Sequence, residues 1–316
     1  MFDLAPVRAA VKPTTIICSR RLDEYLSAIG LAVPVVLASE TFQETGSFKF
    51  RAAYAAAFHS PHRQLLTASS GNFGQALALA ARLLGKDCTV VMPDNSARVK
   101  VEAVRGFGAT VDLIDTGAIS RKARVEALAA KLHDVDVLSA YDCARVIAGN
   151  STLGEELAAL IDRHKFDCVI APMGGGGLTA GIIQGLRRMG SQIEVFAAEP
   201  LLANDGARSI TAGTIIANSE EPATIADGAR TLSLGKNNFA ILKDGLAAVI
   251  EVDDAMIEEA VRLLYGLANL KAEPTGALAL GALLVARERF HERRPLLVVS
   301  GGNVDSAVYA RIINAN

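Results

Sequence analysis

The chain has 316 residues, enough for a large buried core and two lobes, since single hydrophobic cores stop growing at about 250 to 300 residues. Its 32 basic and 34 acidic residues give a formal net charge of -2, with no long run of either sign. This charge excludes the basic footprint of a nucleic-acid-binding or membrane-surface protein. A small-molecule substrate or ligand is therefore expected.

Cysteine spacing and hydropathy indicate which cellular environment the protein occupies. The four cysteines form no Cys-x-x-Cys pair, which argues against a disulfide framework or a zinc site and favours reduced thiols. The longest apolar run, residues 275–286, is interrupted by glycines and is shorter than the roughly 18 to 20 residues of a membrane span. The first twelve residues lack a signal-peptide pattern. We therefore predict a cytoplasmic protein with no membrane partner.

The hydrophobic pattern alternates between strand and helix along most of the chain. A helix, a strand and an alanine-rich helix are predicted first, at residues 19–29, 33–38 and 45–58. Strands at 64–68, 88–92, 110–114 and 136–138 then alternate with helices at 71–84, 97–107 and 121–133. A second series has strands at 166–171, 194–198 and 295–299 and helices at 151–164, 178–189, 253–268 and 275–290. Single helices between strands predict βαβ units, parallel sheets and an α/β fold with two lobes.

Three glycine-rich loops follow predicted strands, at residues 69–74, 173–178 and 300–303. In open α/β sheets, ligands bind outside the carboxyl ends of the strands. We therefore expect the three loops to line one cleft.

The loop at residues 173–179 contains four consecutive glycines before a predicted helix. Its backbone N–H groups can approach an anion at the positive end of that helix, which favours a phosphate. A tight turn without a ligand is the plainer interpretation. Gly175, Gly177 and Ala180 also satisfy a dinucleotide-binding spacing, with Glu199 about twenty residues on, so an NAD-dependent dehydrogenase is a competing hypothesis. That hypothesis assigns no task to Lys49 or to the loop at 69–74.

Lys49 lies in the segment Thr-Gly-Ser-Phe-Lys-Phe-Arg, at the start of the alanine-rich helix. A lone lysine is most often a solvated surface charge. Between Phe48 and Phe50, however, its amine can be kept from water and deprotonated, as Schiff-base chemistry requires. The polar groups of residues 69–72 can hold a carboxylate, although helix capping is the simpler alternative for them.

Together these motifs resemble the serine/threonine dehydratase and serine racemase family of fold-type II pyridoxal-phosphate (PLP) enzymes, over nearly the whole chain. The matching segments are residues 46–49, 69–72, 146–149, 174–177, 224–228, 273–276 and 300–303. The resemblance implies a two-domain α/β fold of the tryptophan synthase beta type, with parallel or mixed twisted sheets flanked by helices. It implies a large cofactor-binding domain from residues 1–64 and 143–316, and a small mobile α/β domain from 65–142.

The resemblance also implies a role for each matching residue. Lys49 would carry PLP as a Schiff base. Ser70 would act on the face opposite Lys49, as the serine at the matching position does in the racemases. The implied cofactor-binding residues are Lys49, Phe48, Asn72, Gly174, Gly175, Gly176, Gly177, Leu178 and Ser300. The substrate carboxylate would be bound by Ser69, Ser70, Gly71 and Asn72. Glu199, Ala203 and Asp205 would hold a Mg²⁺ or Ca²⁺ ion through two carboxylates and a carbonyl.

The activity expected from the resemblance is that of a PLP-dependent L-threonine/L-serine dehydratase, an ammonia-lyase whose β-elimination gives a 2-oxo acid and ammonia. Serine racemase and a dehydratase of another β-hydroxy amino acid, such as 3-hydroxyaspartate, are alternatives within the family. An amino-acid-binding protein without catalysis is a further hypothesis. Phe73 stands where the family often has histidine, and Ala52 or Ala53 where it has glycine, which leaves the substrate open. A homodimer is expected. Since the sequence ends at Asn316, we expect no feedback control by an appended isoleucine-binding regulatory domain.

Overall fold

A computed structural model of the chain describes residues 2–31, 34–69, 71–96, 98–132 and 134–315. Ser70 and part of the strand predicted at 33–38 lie outside the described residues. Within the described ranges, no helix is long and apolar enough to cross a membrane.

The elements follow one another in three stretches. The first is α1 (Ala5–Ala10), β1 (Thr15–Ile17), α2 (Arg20–Ala28), β2 (Val36–Ser39) and α3 (Lys49–Phe58). The second is β3 (Gln64–Ala68), α4 (Asn72–Leu83), β4 (Asp87–Pro93), α5 (Arg98–Gly106), β5 (Thr110–Ile114), α6 (Arg121–Ala129) and β6 (Val135–Val137). The third is α7 (Ala144–His164), β7 (Cys168–Pro172), α8 (Gly177–Arg188), β8 (Glu194–Pro200), α9 (Asp205–Ala212), α10 (Lys236–Leu242), β9 (Leu246–Val252), α11 (Asp254–Ala268), α12 (Pro274–Val285), α13 (Arg287–Phe290), β10 (Pro295–Val299) and α14 (Ser306–Asn314).

The strands of the described residues form two sheets. The large sheet has the order β1-β2-β10-β7-β8-β9 and is parallel except for β1, which pairs antiparallel with β2. The small sheet has the order β5-β4-β3-β6 and is parallel throughout. The predicted α/β fold with parallel and mixed sheets is therefore confirmed. The small sheet begins at Gln64, but the domain boundaries at 64/65 and 142/143 remain a prediction.

The large sheet is apolar on both faces because helices cover both faces. Along β7 every residue is buried, and successive side chains point to opposite sides. Ile170 joins a core cluster with α2, α11, α12 and α14, whereas Val169 joins a second cluster with α7, α8 and α10. The strand ends that carry the glycine-rich loops are thus fixed by packing from both sides.

Several predicted boundaries were wrong. The helix predicted at 45–58 begins at Lys49, because the Phe48 N–H donates to the Ser300 carbonyl and Ser47 forms an isolated antiparallel bridge with Gly301. These two contacts hold the residues before Lys49 against the segment that follows β10. The helix predicted at 151–164 begins at Ala144, and the helix predicted at 275–290 is interrupted at Ala286. Six elements were not predicted from the sequence: α1, β1, α9, α10, β9 and α14. These elements are short, and a short segment shows too few periods of the hydrophobic pattern to be recognised.

Candidate active site

Lys49 is the first residue of α3 and points toward the segment between β6 and α7. Its Nζ donates a hydrogen bond of 2.8 Å to the Ala140 carbonyl and lies 5.1 Å and 5.8 Å from the ring centroids of Phe48 and Phe73. The side chain keeps some solvent exposure, but protein atoms surround the amine. Loss of hydration lowers the pKa of Lys49 to about 8, and the charge of Glu273 opposes this shift. A neutral amine is therefore accessible near physiological pH.

The four-glycine loop has no room for side chains. A Cβ on Gly175 would collide with the Tyr141 ring, and a Cβ on Gly177 would lie 2.6 Å from the Tyr141 carbonyl oxygen. Gly176 has a φ of 90°, a left-handed conformation that favours glycine. The helix α8 begins directly after it, without a side-chain cap. The first N–H groups of α8 therefore remain available to an anion.

Two buried asparagines hold the carbonyl side of this loop. Asn238 Nδ2 donates to the Gly175 carbonyl at 2.6 Å and to the Tyr141 carbonyl at 3.0 Å. Asn150 Nδ2 donates to the Gly177 carbonyl at 2.9 Å. Asn150 was not predicted as a site residue, and Asn238 was expected only as part of a loop, residues 233–238, that lines the substrate pocket. For Asn150, the available signal was an amide directly after the apolar segment 146–149, where a buried polar group needs a specific partner.

The loop at 69–72 opens α4, and its residues differ in their surroundings. Ser69 Oγ accepts hydrogen bonds from the N–H groups of Gly71 and Gly74 at 3.4 Å and 3.1 Å, so this serine caps the helix start. A Cβ added at Gly71 would meet open space. Ser70, which the sequence analysis places in the substrate site, lies outside the described residues.

Asn72 connects this loop to Glu273 at the start of α12 and to Asn303 in the loop after β10. Its Nδ2 donates to both carboxylate oxygens of Glu273, at 2.8 Å and 3.1 Å. Its Oδ1 accepts from Asn303 Nδ2 at 2.9 Å, and the same Nδ2 donates to the Thr45 carbonyl at 2.6 Å. Ser300 is buried beside this network. The loops at 69–74 and 300–303 therefore meet at the segment that leads into Lys49.

Glu273, the first residue of the matching segment 273–276, is a buried carboxyl group. Burial raises its pKa to about 8, and the charge of Asp227 acts in the same direction. Its backbone N–H donates to the Gly301 carbonyl, which fixes the start of α12 against the third loop. The sequence signals for this residue are the matching segment 273–276 and its position before Pro274, at a helix start.

The residues proposed for a metal lie together at the end of β8. The Glu199 carboxylate accepts the N–H groups of Gly206 and Ala207 at 2.8 Å and 2.7 Å. Asp205 Oδ2 is buried and has no hydrogen-bond partner among the described residues. Burial raises the pKa of both carboxyl groups, to about 6 for Asp205, and the Asp205 charge adds to the increase at Glu199. Ala203 is buried next to them, and the described residues contain no cluster of three His, Cys, Asp or Glu side chains suited to a metal.

Comparison with known proteins identifies the class. The sequence pattern of a family described as pyridoxal-phosphate dependent enzyme matches residues 7–301. The chain belongs to this family, and its relatives place it in the ammonia-lyase and racemase group of PLP-dependent enzymes. The resemblance found in the sequence is thereby confirmed, and the NAD-dependent alternative is wrong. Consistent with this, Glu199, the acidic residue of the dinucleotide-binding spacing, accepts hydrogen bonds from backbone N–H groups at the start of α9.

Three similar proteins illustrate the range of activities. An L-threo-3-hydroxyaspartate ammonia-lyase of Pseudomonas sp is 36% identical, over 95% of this chain and 92% of its own length. A serine racemase of Dictyostelium discoideum is 35% identical, over 87% of this chain and 86% of its own length. The threonine deaminase of T.th., known from a crystal structure, is 36% identical and superposes with a TM-score of 0.88, covering 96% of each chain.

The described residues fit PLP. The glycine loop leaves backbone N–H groups at the positive end of α8 for a phosphate, and the Lys49 amine has a lowered pKa. Thr45 Oγ1 and Ser47 Oγ are buried and have no hydrogen-bond partner among the described residues. Unpaired hydroxyl groups next to the lysine are compatible with a polar ligand at this position.

Proposed function

We propose that this chain is an ammonia-lyase that eliminates water from L-threonine and L-serine to give a 2-oxo acid and ammonia. One observation carries the proposal. The Lys49 amine, whose pKa is lowered to about 8, donates to the Ala140 carbonyl, and the next residue, Tyr141, packs against Gly175 and Gly177 of the loop before α8. An amine that is neutral near pH 8 suits proton removal, while the polar groups fix a cofactor and a substrate.

The proposed contacts with PLP are assigned to the residues that match the family's motifs. The N–H groups of Gly174, Gly175, Gly176, Gly177 and Leu178 would bind the phosphate of PLP. Asn72 would orient the ring hydroxyl, Phe48 would pack beside the ring, and Ser300 would approach the ring nitrogen. When bound, PLP withdraws electrons from the α-carbon of an amino acid and so makes its α-hydrogen acidic. Ser300 carries no formal charge, so it would not hold the ring nitrogen protonated as an aspartate would.

Lys49 has the proposed role of moving the α-proton. Its burial keeps a large fraction of the amine neutral near pH 8, and only the neutral amine can accept a proton. The Ala140 carbonyl, 2.8 Å from Nζ, would hold the amine in position on one face of the substrate. The aromatic rings of Phe48 and Phe73 limit access of water to the amine.

The substrate carboxylate would bind at the start of α4. Ser69, Ser70, Gly71 and Asn72 precede or begin this helix, and its positive end attracts an anion. Ser70 would handle a proton on the face opposite Lys49, so serine racemisation is a side activity to be assayed.

The metal site and the homodimer remain parts of this proposal. Two neighbouring buried carboxyl groups with raised pKa values, one with an unpaired oxygen, suit a hard cation that would relieve their repulsion. We propose that Glu199, Asp205 and the Ala203 carbonyl hold Mg²⁺ or Ca²⁺. The homodimer is proposed from the family resemblance.

A second candidate substrate is L-threo-3-hydroxyaspartate. Two relatives that carry this substrate in their names, from Pseudomonas sp and Saccharomyces cerevisiae, are 36% and 33% identical to this chain. Elimination of water from this amino acid uses the same chemistry at the α- and β-carbons. The two candidates differ in the group that binds the second carboxylate.

Absorption and product formation test the proposal together. Purified protein incubated with PLP is expected to absorb visible light as a protonated Schiff base, and Lys49→Ala is expected to lose this band. Exposed Lys165, at the end of α7, supplies the control variant Lys165→Ala, which should keep it. L-threonine, L-serine and L-threo-3-hydroxyaspartate are then assayed for the 2-oxo acid, and serine also for its D-isomer. A protein that binds PLP through Lys49 but releases no 2-oxo acid from any of the three would contradict the proposed activity.

A further inference from the structure

An ion pair links the small sheet to the segment between α9 and α10. Lys100 Nζ lies 2.8 Å from Asp227 Oδ2. Lys100 is on α5, which packs against the small sheet, and Asp227 begins a short 3-10 helix, Asp227–Ala229. Nearby, Arg121 at the start of α6 pairs in the same way with Glu221, at 2.9 Å. Both pairs therefore cross from the small-sheet side to the large-sheet side.

On its large-sheet side, the pair is anchored to the proposed cofactor site. A Cβ on Gly174 would lie 2.8 Å from the Ala229 Cα, so the Asp227–Ala229 turn packs directly on the glycine loop. The Gly228 N–H also donates to Thr275 Oγ1 at 3.0 Å, next to Glu273 at the start of α12. A displacement of Asp227 would therefore move the backbone of residues 227–229, which contacts the glycine loop.

On its small-sheet side, the pair is anchored to the proposed substrate site. Val101 and Val104 of α5 are buried in the same core cluster as Leu77 of α4. The helix α4 starts at Asn72, in the loop that would receive the substrate carboxylate. A helix transmits a displacement along its length as a rigid element, so the position of α5 affects the position of this loop.

We propose that Lys100 and Asp227 are positioning residues that hold the loop at 69–72 against Lys49 and so set the affinity for the amino acid. Neither residue takes part in proton transfer. Both side chains are partly exposed, at 25% and 42%, so the pair is screened by salt and its effect is moderate. The kinetic form of this inference depends on the proposed activity.

A charge swap in the holoenzyme tests the pair, with L-threonine as the substrate. Lys100→Glu and Asp227→Lys are each expected to raise KM about three- to tenfold, with kcat within about twofold of wild type, because repulsion replaces attraction across the two sides. The double variant should restore KM to within about twofold of wild type, because it rebuilds the pair with opposite polarity. A purely structural role would lower kcat or folded yield and would show no rescue.

The chain supplies a matched control on the same helix. Arg98 and Glu102 form an exposed ion pair within α5 that does not leave the small-sheet side. Arg98→Glu, Glu102→Arg and their double variant should leave KM within about twofold of wild type, since exposed pairs contribute little to stability. If the control swap moves KM as far as the Lys100 swap, or if the Lys100–Asp227 double variant is no better than the single variants, the inference is wrong.

Hydrogen–deuterium exchange separates this inference from the proposed activity. In the PLP-bound protein, each single variant should accelerate exchange in residues 98–106 and 221–229, and the double variant should return it to the wild-type rate. If L-threonine is not turned over, the proposed substrate is wrong and exchange still decides the role of the pair. If exchange is unchanged in both single variants, the pair does not hold the two sides together. Should Asp227→Lys fail to fold, Lys100→Gln and Asp227→Asn replace the charge reversals. Each should raise KM and accelerate exchange, and their double variant should add no further increase, because either substitution alone already removes the pair.

Discussion

The two sheets differ in how much space the surrounding residues leave for an added side chain at their glycines. Around the large sheet, glycines mark close backbone contacts: a Cβ on Gly149 would lie 2.7 Å from the Ala55 Cβ, and one on Gly185 would lie 2.8 Å from the Gly154 Cα. Around the small sheet, a Cβ at Gly71 or Gly106 would meet open space, whereas one at Gly74 would lie 2.8 Å from the Ser69 carbonyl oxygen. Close glycine contacts are therefore more numerous around the large sheet than around the small sheet.

The hydrophobic cores show the same difference. Both faces of the large sheet are covered by extended clusters that reach from α2 to α14. The small sheet shares one cluster with α1, α3 and α7, but the buried part of its other cluster contains only Leu66, Val91, Ile114 and Val125. Regions with thinner apolar cover open at lower free energy. A large sheet with extensive apolar cover and a small sheet with thinner cover suit an enzyme whose relatives carry out several related reactions.

The largest effect is expected at Lys49. Lys49→Ala removes the amine proposed to move the α-proton, so kcat should fall by at least about a thousandfold. Steady-state kinetics of PLP-saturated protein measures this, with Lys165→Ala as the variant that should retain wild-type kcat. Activity within tenfold of wild type in Lys49→Ala would remove Lys49 from its proposed role.

A pair of glycine substitutions tests the packing difference directly. Gly149→Ala inserts a methyl group between α7 and α3 and should lower the free energy of unfolding by about 1 to 3 kcal/mol. Gly106→Ala, at the end of α5, meets nothing and should leave stability unchanged or raise it by up to about 1 kcal/mol. Urea denaturation of both variants provides the measurement. Equal destabilisation by the two substitutions would show that packing does not distinguish the two sides.

The pH dependence of stability should change when Glu273 is replaced. The folded protein raises its pKa from 4.5 to about 8, so between these pH values the folded state binds more protons than the unfolded state. This carboxyl group therefore stabilises the fold most below pH 4.5, and its contribution is lost as the pH rises toward 8. In Glu273→Gln that loss should be absent, which makes the pH profile of apoprotein unfolding flatter than in wild type.

Glu24, an exposed residue of α2, supplies the control for this measurement. Glu24→Gln should reproduce the wild-type profile. Lys49 acts in the opposite direction and at higher pH: its pKa is lowered from 10.5 to about 8, so its contribution to stability rises between those values. If Glu273→Gln and wild type gave parallel profiles from pH 5 to 8, the raised pKa of Glu273 would be contradicted.

The smallest effect is expected at the proposed metal site. Addition of Ca²⁺ or Mg²⁺ at tenfold excess over Kd should stabilise the chelator-treated protein by about 1.4 kcal/mol. Asp205→Asn should abolish this increase, because it removes the carboxylate with the unpaired oxygen. Thermal unfolding with and without the ion provides the comparison. An equal increase in wild type and Asp205→Asn would place the ion elsewhere.

Parts of the site could be predicted because they depend on local backbone chemistry. Four glycines in a row before a helix indicate a close approach of backbone, and the structure gives Gly176 a left-handed conformation there. Ser69 at a helix start indicates a cap, which is what its hydrogen bonds form. The roles of these residues toward a cofactor and a substrate remain predictions until they are tested.

Other parts could not be predicted, because they depend on residues far apart in the sequence. The Ala140 carbonyl that holds Lys49 and the Asn238 amide that holds the glycine loop belong to irregular or short elements with no motif of their own. Even the start of α3 was misplaced, at 45 instead of Lys49, since the backbone that follows β10 pairs with the residues before Lys49.

The α/β class, the family and the segment that carries Lys49 could all be read from the sequence, because strand and helix periods and glycine runs act over a few residues. The electrostatic state of the site, in contrast, depends on tertiary structure. The lowered pKa of Lys49 and the raised pKa of Glu273 come from burial among residues of several elements. Burial is a property of the packed chain, so the free energy of keeping a charge in the cleft is fixed only when both sheets are in place.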